Sequence, residues 1–380
     1  MRKIGIVGWN GYYNVGDDAM TSVIVKYLVQ SHIGNRFHFF SDTKSLAKYN
    51  SKDEPVEIKG IPLYRIFKKI PWIRSIAIHY IFPIFFASNK DILLFGGGSF
   101  IHRAKLSFLY LRIIRNIRKK NPDVLIGAVG ISVGPFKNQN EEKAAKACLE
   151  QMHFIAVRDK RSYQLVKEMG LNNHIKCAPD LALLLPALHN NSFCEKGNEG
   201  NYIGLSLRYG HVRDEKIVWL SSLIQKMAEK YPFYKLKIFT FCALVSENDM
   251  NENRRLIASL SENLHDRIII INYSRDPFDF YEEIYSCDLM LCMRLHAAII
   301  SYAVNTKFTM ISYHQKCLDF AKEVGLPAEY ILKENVAVDK TLEILEQLLQ
   351  QEEFIFSKPR NEIMDSVKEH FYFIPHAFAE

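Results

Sequence analysis

The residues best placed to do chemistry sit where apolar segments end. Cys287-Asp288-Leu289-Met290-Leu291-Cys292-Met293 runs into Arg294-Leu295-His296, and the apolar stretch Ala297–Ala303 follows. A guanidinium and an imidazole at the carboxyl end of a buried strand are costly to desolvate unless they meet a partner or a ligand. The Arg-x-His pair therefore reads as functional. Ser312-Tyr313-His314-Gln315-Lys316 repeats the arrangement after the next apolar run. Arg158 and Arg208 also close strands. Arg158, next to Asp159, reads first as an ion-pairing residue, and Arg208 carries the same two readings, ion pair or ligand contact.

Two glycine-bearing loops could approach a ligand. Gly96-Gly97-Gly98-Ser99 follows the apolar run Asp91–Phe95, and three glycines ending a strand would let backbone N–H groups meet a bound molecule. Gly8-Trp9-Asn10-Gly11-Tyr12-Tyr13-Asn14-Val15-Gly16-Asp17-Asp18 fits neither G-x-G-x-x-G nor the P-loop spacing. Its aspartates would repel an anion from a helix start. Asn14 and Asp17 are candidates for contacts to hydroxyls, or Asp17 or Asp18 caps a helix. The histidines of these segments show no helical i, i+4 pairing and no adjacent carboxylates, so no metal site is expected.

The elements that must position these residues alternate strand and helix. Strands are expected at Lys3–Trp9, Arg36–Ser41, Asp91–Phe95, Val124–Ile131, Phe154–Arg158 and Ile175–Ala178. After a polar, turn-rich stretch at 187–201 they resume at Tyr202–Leu207, Leu236–Phe241, Arg267–Asn272, Leu289–Met293 and Phe308–Ser312. Most are continuous apolar runs, as for parallel strands covered on both faces. Between them, Ala104–Lys120 has the clearest helical period, with Leu106, Leu109, Tyr110, Ile113, Ile114 and Ile117 on one side. The expectation is α/β: two Rossmann-like, doubly wound domains, 1–186 and 202–355, joined by a linker at 187–201 and followed by a helical tail at 356–380. Ligands in such folds bind outside the carboxyl ends of the strands, here expected between the domains.

The 380 residues are 48% hydrophobic and 24% charged, which excludes a mostly disordered chain. No apolar run is long enough to span a bilayer, and since Met1-Arg2-Lys3 runs straight into an expected strand, no signal peptide is expected. Seven scattered cysteines without a C-x-x-C pair point to reduced thiols in a cytoplasmic protein. The net charge is +7, yet residues 58–122 hold thirteen Lys or Arg and a single acid, Asp91. One sector of the first domain is thus strongly basic.

In these residues the chain resembles the polysaccharide pyruvyl transferase family. The matching pieces, in order, are Gly11–Ala19, Phe95-Gly96-Gly97-Gly98-Ser99, Gly130–Pro135, Val157-Arg158-Asp159, Pro179-Asp180, Leu205-Ser206-Leu207-Arg208, Met293-Arg294-Leu295-His296 and Ser312-Tyr313-x-x-Lys316. Their order and rough spacing agree with the family from about residue 4 to 327. Tyr12 and Tyr13 stand where a shorter, glycine-rich turn is usual, and Val304-Asn305-Thr306-Lys307 replaces Gly-x-Pro. The resemblance implies a GT-B-like fold with its two domains facing a cleft, and transfer of pyruvate from phosphoenolpyruvate to a sugar as a ketal.

On that basis Arg294 and Arg158, then Arg208 and Lys316, are expected to bind the donor's carboxylate and phosphate, and His296 to transfer protons. Asn14, Asp17, Gly97, Gly98 and Ser99 are expected acceptor or loop contacts. No cofactor or metal is expected. The resemblance also implies a saccharide acceptor, typically lipid-linked at the cytoplasmic leaflet. The aromatic and basic stretch Ile61–Arg74, with Arg65, Lys68, Lys69 and Arg74, suits an interfacial segment, or else an internal helix pair with a solvated basic face. A cytoplasmic protein held peripherally at the anionic inner face of the membrane follows. Two alternatives stand beside this reading: a GT-B glycosyltransferase using a nucleotide sugar, and a non-catalytic glycan- or membrane-binding module. Nucleic acid is not an expected partner, since the basic sector contains no recognisable module.

Overall fold

The computed structural model describes residues 2–41, 56–61, 81–87, 89–189, 201–209, 213–244, 248–352 and 356–377. The interfacial candidates Arg65, Lys68, Lys69 and Arg74 lie outside the described residues, as does the side chain of Ser99. The chain divides into two compact units. The first comprises Met1–Tyr12, Asp17–Leu188 and Asp365–Glu380, the second Tyr13–Gly16 and His189–Met364. The division thus falls inside the turn-rich stretch, but two short pieces change sides. Four residues of the first loop belong to the second unit, and the end of the tail returns to the first.

The first unit is built on strands β1 (Arg2–Val7), β2 (Gly34–Phe39), β3 (Glu57–Lys59), β4 (Ile92–Ile101), β5 (Leu125–Val133), β6 (Phe154–Val157) and β7 (His174–Cys177). All pair in parallel, in the order β3-β2-β1-β4-β5-β6-β7. Ile92, Leu93, Leu94 and Phe95 have no exposed surface, as a strand covered on both faces requires. Helix Ala104–Arg118 buries Leu109, Tyr110, Ile113, Ile114 and Ile117 along the side that its sequence period marks.

The second unit carries β8 (Tyr202–Ser206), β9 (Lys235–Phe239), β10 (Ile268–Ile271), β11 (Leu289–Cys292), β12 (Lys307–Ser312) and β13 (Ile331–Lys333), all parallel in the order β10-β9-β8-β11-β12-β13. Both sheets are doubly wound. Two three-residue edge strands, β3 and β13, are additions to the sequence expectation, since three residues carry no readable period.

Two local expectations are corrected. The glycine run does not end its strand: β4 continues to Ile101, and Gly96, Gly98 and Ser99 pair with Val129, Ile131 and Ser132 of β5. Backbone groups expected to be available to a ligand are thus partly spent in the ladder. Neither Asp17 nor Asp18 caps the first helix, Val15–Gln30; both lie in its first turn. Asn14 does the capping, its Oδ1 accepting from the Gly16 N–H at 3.0 Å.

Candidate active site

Within the second sheet the strand order reverses between β8 and β11, and a switch point of this kind opens a crevice at the carboxyl edge. Cys292 of β11 lies in register with Ser206 of β8 on one side and Met310 of β12 on the other. Arg208 and Arg294 each follow two residues beyond that paired row. Met293 donates its N–H to the Ser206 carbonyl at 2.8 Å, which extends the pairing to the threshold of Arg294. Arg294 then occupies the N-cap position of helix Leu295–Ala303, with extended backbone, and places His296 in that helix's first turn.

Arg294 is held from across the unit. Its Nη2 pairs with Oδ1 of Asp249, a carboxylate only 3% exposed at the start of helix Asp249–Ala258. The second oxygen of Asp249 accepts the Cys242 N–H at 2.9 Å. Asn248 caps the same helix, accepting from the N–H groups of Met250 and Asn251. Nearby, the Tyr209 hydroxyl donates to Asn253 Oδ1 at 2.7 Å. Burial, and then the charge of Asp249, push that phenol well above its ordinary range.

The first loop completes this cluster. Asn14 bridges Cys242 in antiparallel fashion, Val15 donates to the Phe241 carbonyl at 3.0 Å, and Ala243 donates to the Tyr13 carbonyl at 2.9 Å. Tyr13 reaches this position with φ of +56°, a conformation that a glycine would adopt more cheaply. Gly16 lies directly against the His296 ring; a Cβ there would stand 2.0 Å from Nδ1. The absence of a side chain at 16 is therefore what admits the imidazole. Arg208 lies over the Tyr313 ring at 4.1 Å. Lys316 is half-buried in the first turn of helix Gln315–Val324, its N–H bonded to His314 Nδ1.

The second unit thus gathers Asn14, Arg208, Arg294, His296 and Lys316 around one sheet edge. Two members of the cluster escape sequence reasoning. Asp249 lies in a polar stretch that reads only as a helix cap, and the demand on Gly16 comes from a residue 280 positions later.

The remaining candidates belong to the first unit, whose switch point lies between β1 and β4. There the Asp17 carboxylate and Trp9 lie against Gly98, each 3.2 Å from where a Cβ would stand, and φ at Gly98 is +102°. Gly97 packs against Met20. Arg158 is engaged inside the unit. It pairs with Asp180 at 2.7 Å, donates from Nε to Ser132 Oγ at 2.9 Å and touches Met20 Sδ; Arg158 and Asp180 are 8% and 7% exposed. Removing one partner of such a pair strands a buried charge and costs about 3–5 kcal/mol. Arg158→Ala should therefore lower the unfolding midpoint sharply, and Arg158→Met with Asp180→Leu should recover most of it. An unchanged midpoint with lost donor binding would make Arg158 a ligand contact instead.

The returning tail buries His370 beside this pair. Gly130 donates its N–H to Nδ1 at 3.3 Å, and Nε2 lies 2.7 Å from the Pro179 carbonyl, an arrangement that suits the neutral ring. Burial lowers its pKa from 6.5 to about 4. The unfolded chain takes up this proton at higher pH than the folded one. The stabilisation is complete above pH 6.5 and is lost as pH falls toward 4, by up to about 3 kcal/mol. Chemical unfolding at pH 7 and pH 4.5 should show a smaller acid loss in His370→Gln than in the parent.

Among the described residues no group of three or more His, Cys, Asp or Glu is placed to hold a metal ion, and no helix is long and apolar enough to cross a membrane. Cys148, Cys177, Cys242, Cys287, Cys292 and Cys317 are not joined in disulfides.

Two doubly wound α/β units with basic residues at a sheet switch point define a GT-B-type protein, and solved structures agree on the fold. UDP-GlcNAc 2-epimerase from Neisseria meningitidis, bound to UDP-GlcNAc, matches with a TM-score of 0.61 at 9% identity, over 99% of this chain and 100% of that one. The epimerase from Methanocaldococcus jannaschii gives 0.61 at 11%, with 99% and 100% covered, and S. aureus MnaA in a UDP co-structure gives 0.60 at 13%, with 97% and 91%. At such identities the likeness is one of fold. None of the curated proteins matches the sequence significantly. The sequence model of the polysaccharide pyruvyl transferase family matches residues 14–315, well over half of the chain. The chain belongs to the polysaccharide pyruvyl transferase family.

Proposed function

We propose that this protein moves pyruvate from phosphoenolpyruvate onto two hydroxyls of a sugar in a bacterial cell-surface polysaccharide or its lipid-linked precursor, closing a cyclic ketal. The observation that supports this reading best is the gathering of Arg294, Arg208 and Lys316 with His296 at one strand edge, the imidazole resting on Gly16. Forked guanidinium groups suit a donor that carries both a carboxylate and a phosphate. In this reading His296 protonates the methylene carbon, which becomes the methyl group. A sugar hydroxyl attacks the resulting cationic carbon and returns a proton to the imidazole. The C–O bond to phosphate then breaks, the second hydroxyl closes the ring, and the proton it loses leaves with the departing inorganic phosphate. Donor and diol are thereby converted to ketal and phosphate, with nothing left over.

Asn14, Asp17, Gly97, Gly98 and Ser99 are the proposed acceptor and loop contacts. Arg158 joins the donor site only if a ligand draws it from Asp180. The reading includes a cytoplasmic location, peripheral at the inner face of the membrane, and no nucleic-acid partner.

Incubation with phosphoenolpyruvate and a panel of lipid-linked saccharides should release phosphate and yield a product heavier by a pyruvate less a water. Consumption of a nucleotide sugar, with no phosphate released from phosphoenolpyruvate, would replace pyruvyl transfer with glycosyl transfer. The reading requires no metal, so turnover should survive exhaustive chelation. Loss with EDTA and recovery with magnesium would reassign Asp17, Asp18 or Asp180 as metal ligands.

A further inference from the structure

The outer face of helix Ala104–Arg118 carries a stripe that catalysis leaves unused. Lys105, Phe108, Arg112, Arg115 and Lys119 fall within about a quarter of a turn of one another. Lys105, Phe108, Arg115 and Lys119 are exposed and Arg112 is half-buried. Phe108 shows 59% of its surface to solvent while the opposite side of the helix fills the core. Residues 102–122 contain seven Lys or Arg and no Asp or Glu.

Helix electrostatics account for part of this pattern only. Arg115 and Arg118 in the last turn complement the carboxyl-terminal end of the dipole. Lys105 stands in the first turn, where a cation opposes that dipole, and Phe108 stands in water. Beside the stripe, Phe108, Leu111, Arg112, Arg115 and Lys119 line an open groove of about 790 Å³ against Ala147 of helix Gln139–Leu149. An apolar floor rimmed by cations complements amphiphiles with anionic heads.

We propose that this face docks on an anionic phospholipid surface, with Phe108 entering the headgroup layer and the basic side chains meeting lipid phosphates. The inference deepens the membrane-side part of the reading above and rests on that part alone. It gives the attachment a named surface that is independent of the pyruvyl chemistry.

The test is co-sedimentation of the full chain with phosphatidylcholine vesicles, with and without phosphatidylglycerol. Binding should require phosphatidylglycerol and weaken as salt screens the attraction. Each basic side chain near such a surface strengthens binding about five-fold, so Lys105→Gln, Arg115→Gln and Lys119→Gln together with Phe108→Ser should weaken it about 100-fold or more. Turnover of a short soluble acceptor should be unchanged by these exposed substitutions, which also shows that the variant folds. In a Phe108→Trp variant, brominated lipid should quench the added indole.

Wild-type binding retained by the quadruple variant would overturn this surface while leaving membrane attachment through other residues. An absence of vesicle binding by the wild type would overturn both. Equal affinity for heparin, lost in the same variant, would make the stripe a general polyanion face and overturn the lipid assignment. None of these results bears on phosphate release from phosphoenolpyruvate, so the fate of the catalytic reading is decided separately.

Discussion

His296→Ala should lower turnover about 10²–10⁴-fold, the usual contribution of a general acid–base group, while donor binding and the unfolding midpoint stay close to those of the parent. The ring is only part-buried, so its loss opens no large cavity in the core. A companion substitution tests the placement of the imidazole as well as its presence. Gly16→Ala puts a methyl group 2.0 Å from where Nδ1 now stands, so the ring must move. Turnover should fall although every titratable group is retained. Turnover near the parental value in His296→Ala, measured by phosphate release, would remove His296 from the mechanism.

Arg294→Ala should act on two quantities at once. The Asp249 carboxylate, 3% exposed, loses its cation, and breaking a buried pair in this way costs about 3–5 kcal/mol. Donor affinity should fall as well, because the phosphoenolpyruvate anion loses a forked partner. The double variant Arg294→Ala/Asp249→Ala separates the two effects. It should recover much of the stability, since no unpaired charge remains, but not donor affinity, measured by calorimetry with phosphoenolpyruvate. If the double variant binds donor as the parent does, Arg294 serves the fold alone. Arg294→Lys should keep part of the affinity, because an ammonium supplies the charge without the planar fork.

The sheets were legible because buried parallel strands are written as continuous apolar runs. Leu289–Cys292 and Ile92–Phe95 needed no tertiary information, and the period of Ala104–Lys120 marked the side that is buried. Where placement depended on a local pattern, the sequence also sufficed: Arg294 and His296 stand at a strand end and a helix start, as their flanking residues require. The glycine run was misread for a physical reason. Glycines end strands in isolation, but here β5 supplies pairing partners on through Gly98, and Met20, Trp9 and Asp17 pack where side chains would be. Cross-strand hydrogen bonds outweighed local backbone freedom.

By itself, then, the sequence determined the α/β alternation, the family and the identity of the arginines and histidine at the strand ends. These are properties of residue type and short-range spacing. Only the tertiary structure decided which charges meet. The Asp249 carboxylate is 45 residues from Arg294, and Asp180 is 22 from Arg158. Desolvation makes each such charge find a partner but does not name it in the chain. Nor could spacing show that Tyr13–Gly16 joins the second unit, or that Gly16 is bare because the imidazole of His296 lies against it. Contacts of that range are set by how the strands and helices pack, and a linear pattern carries no record of them.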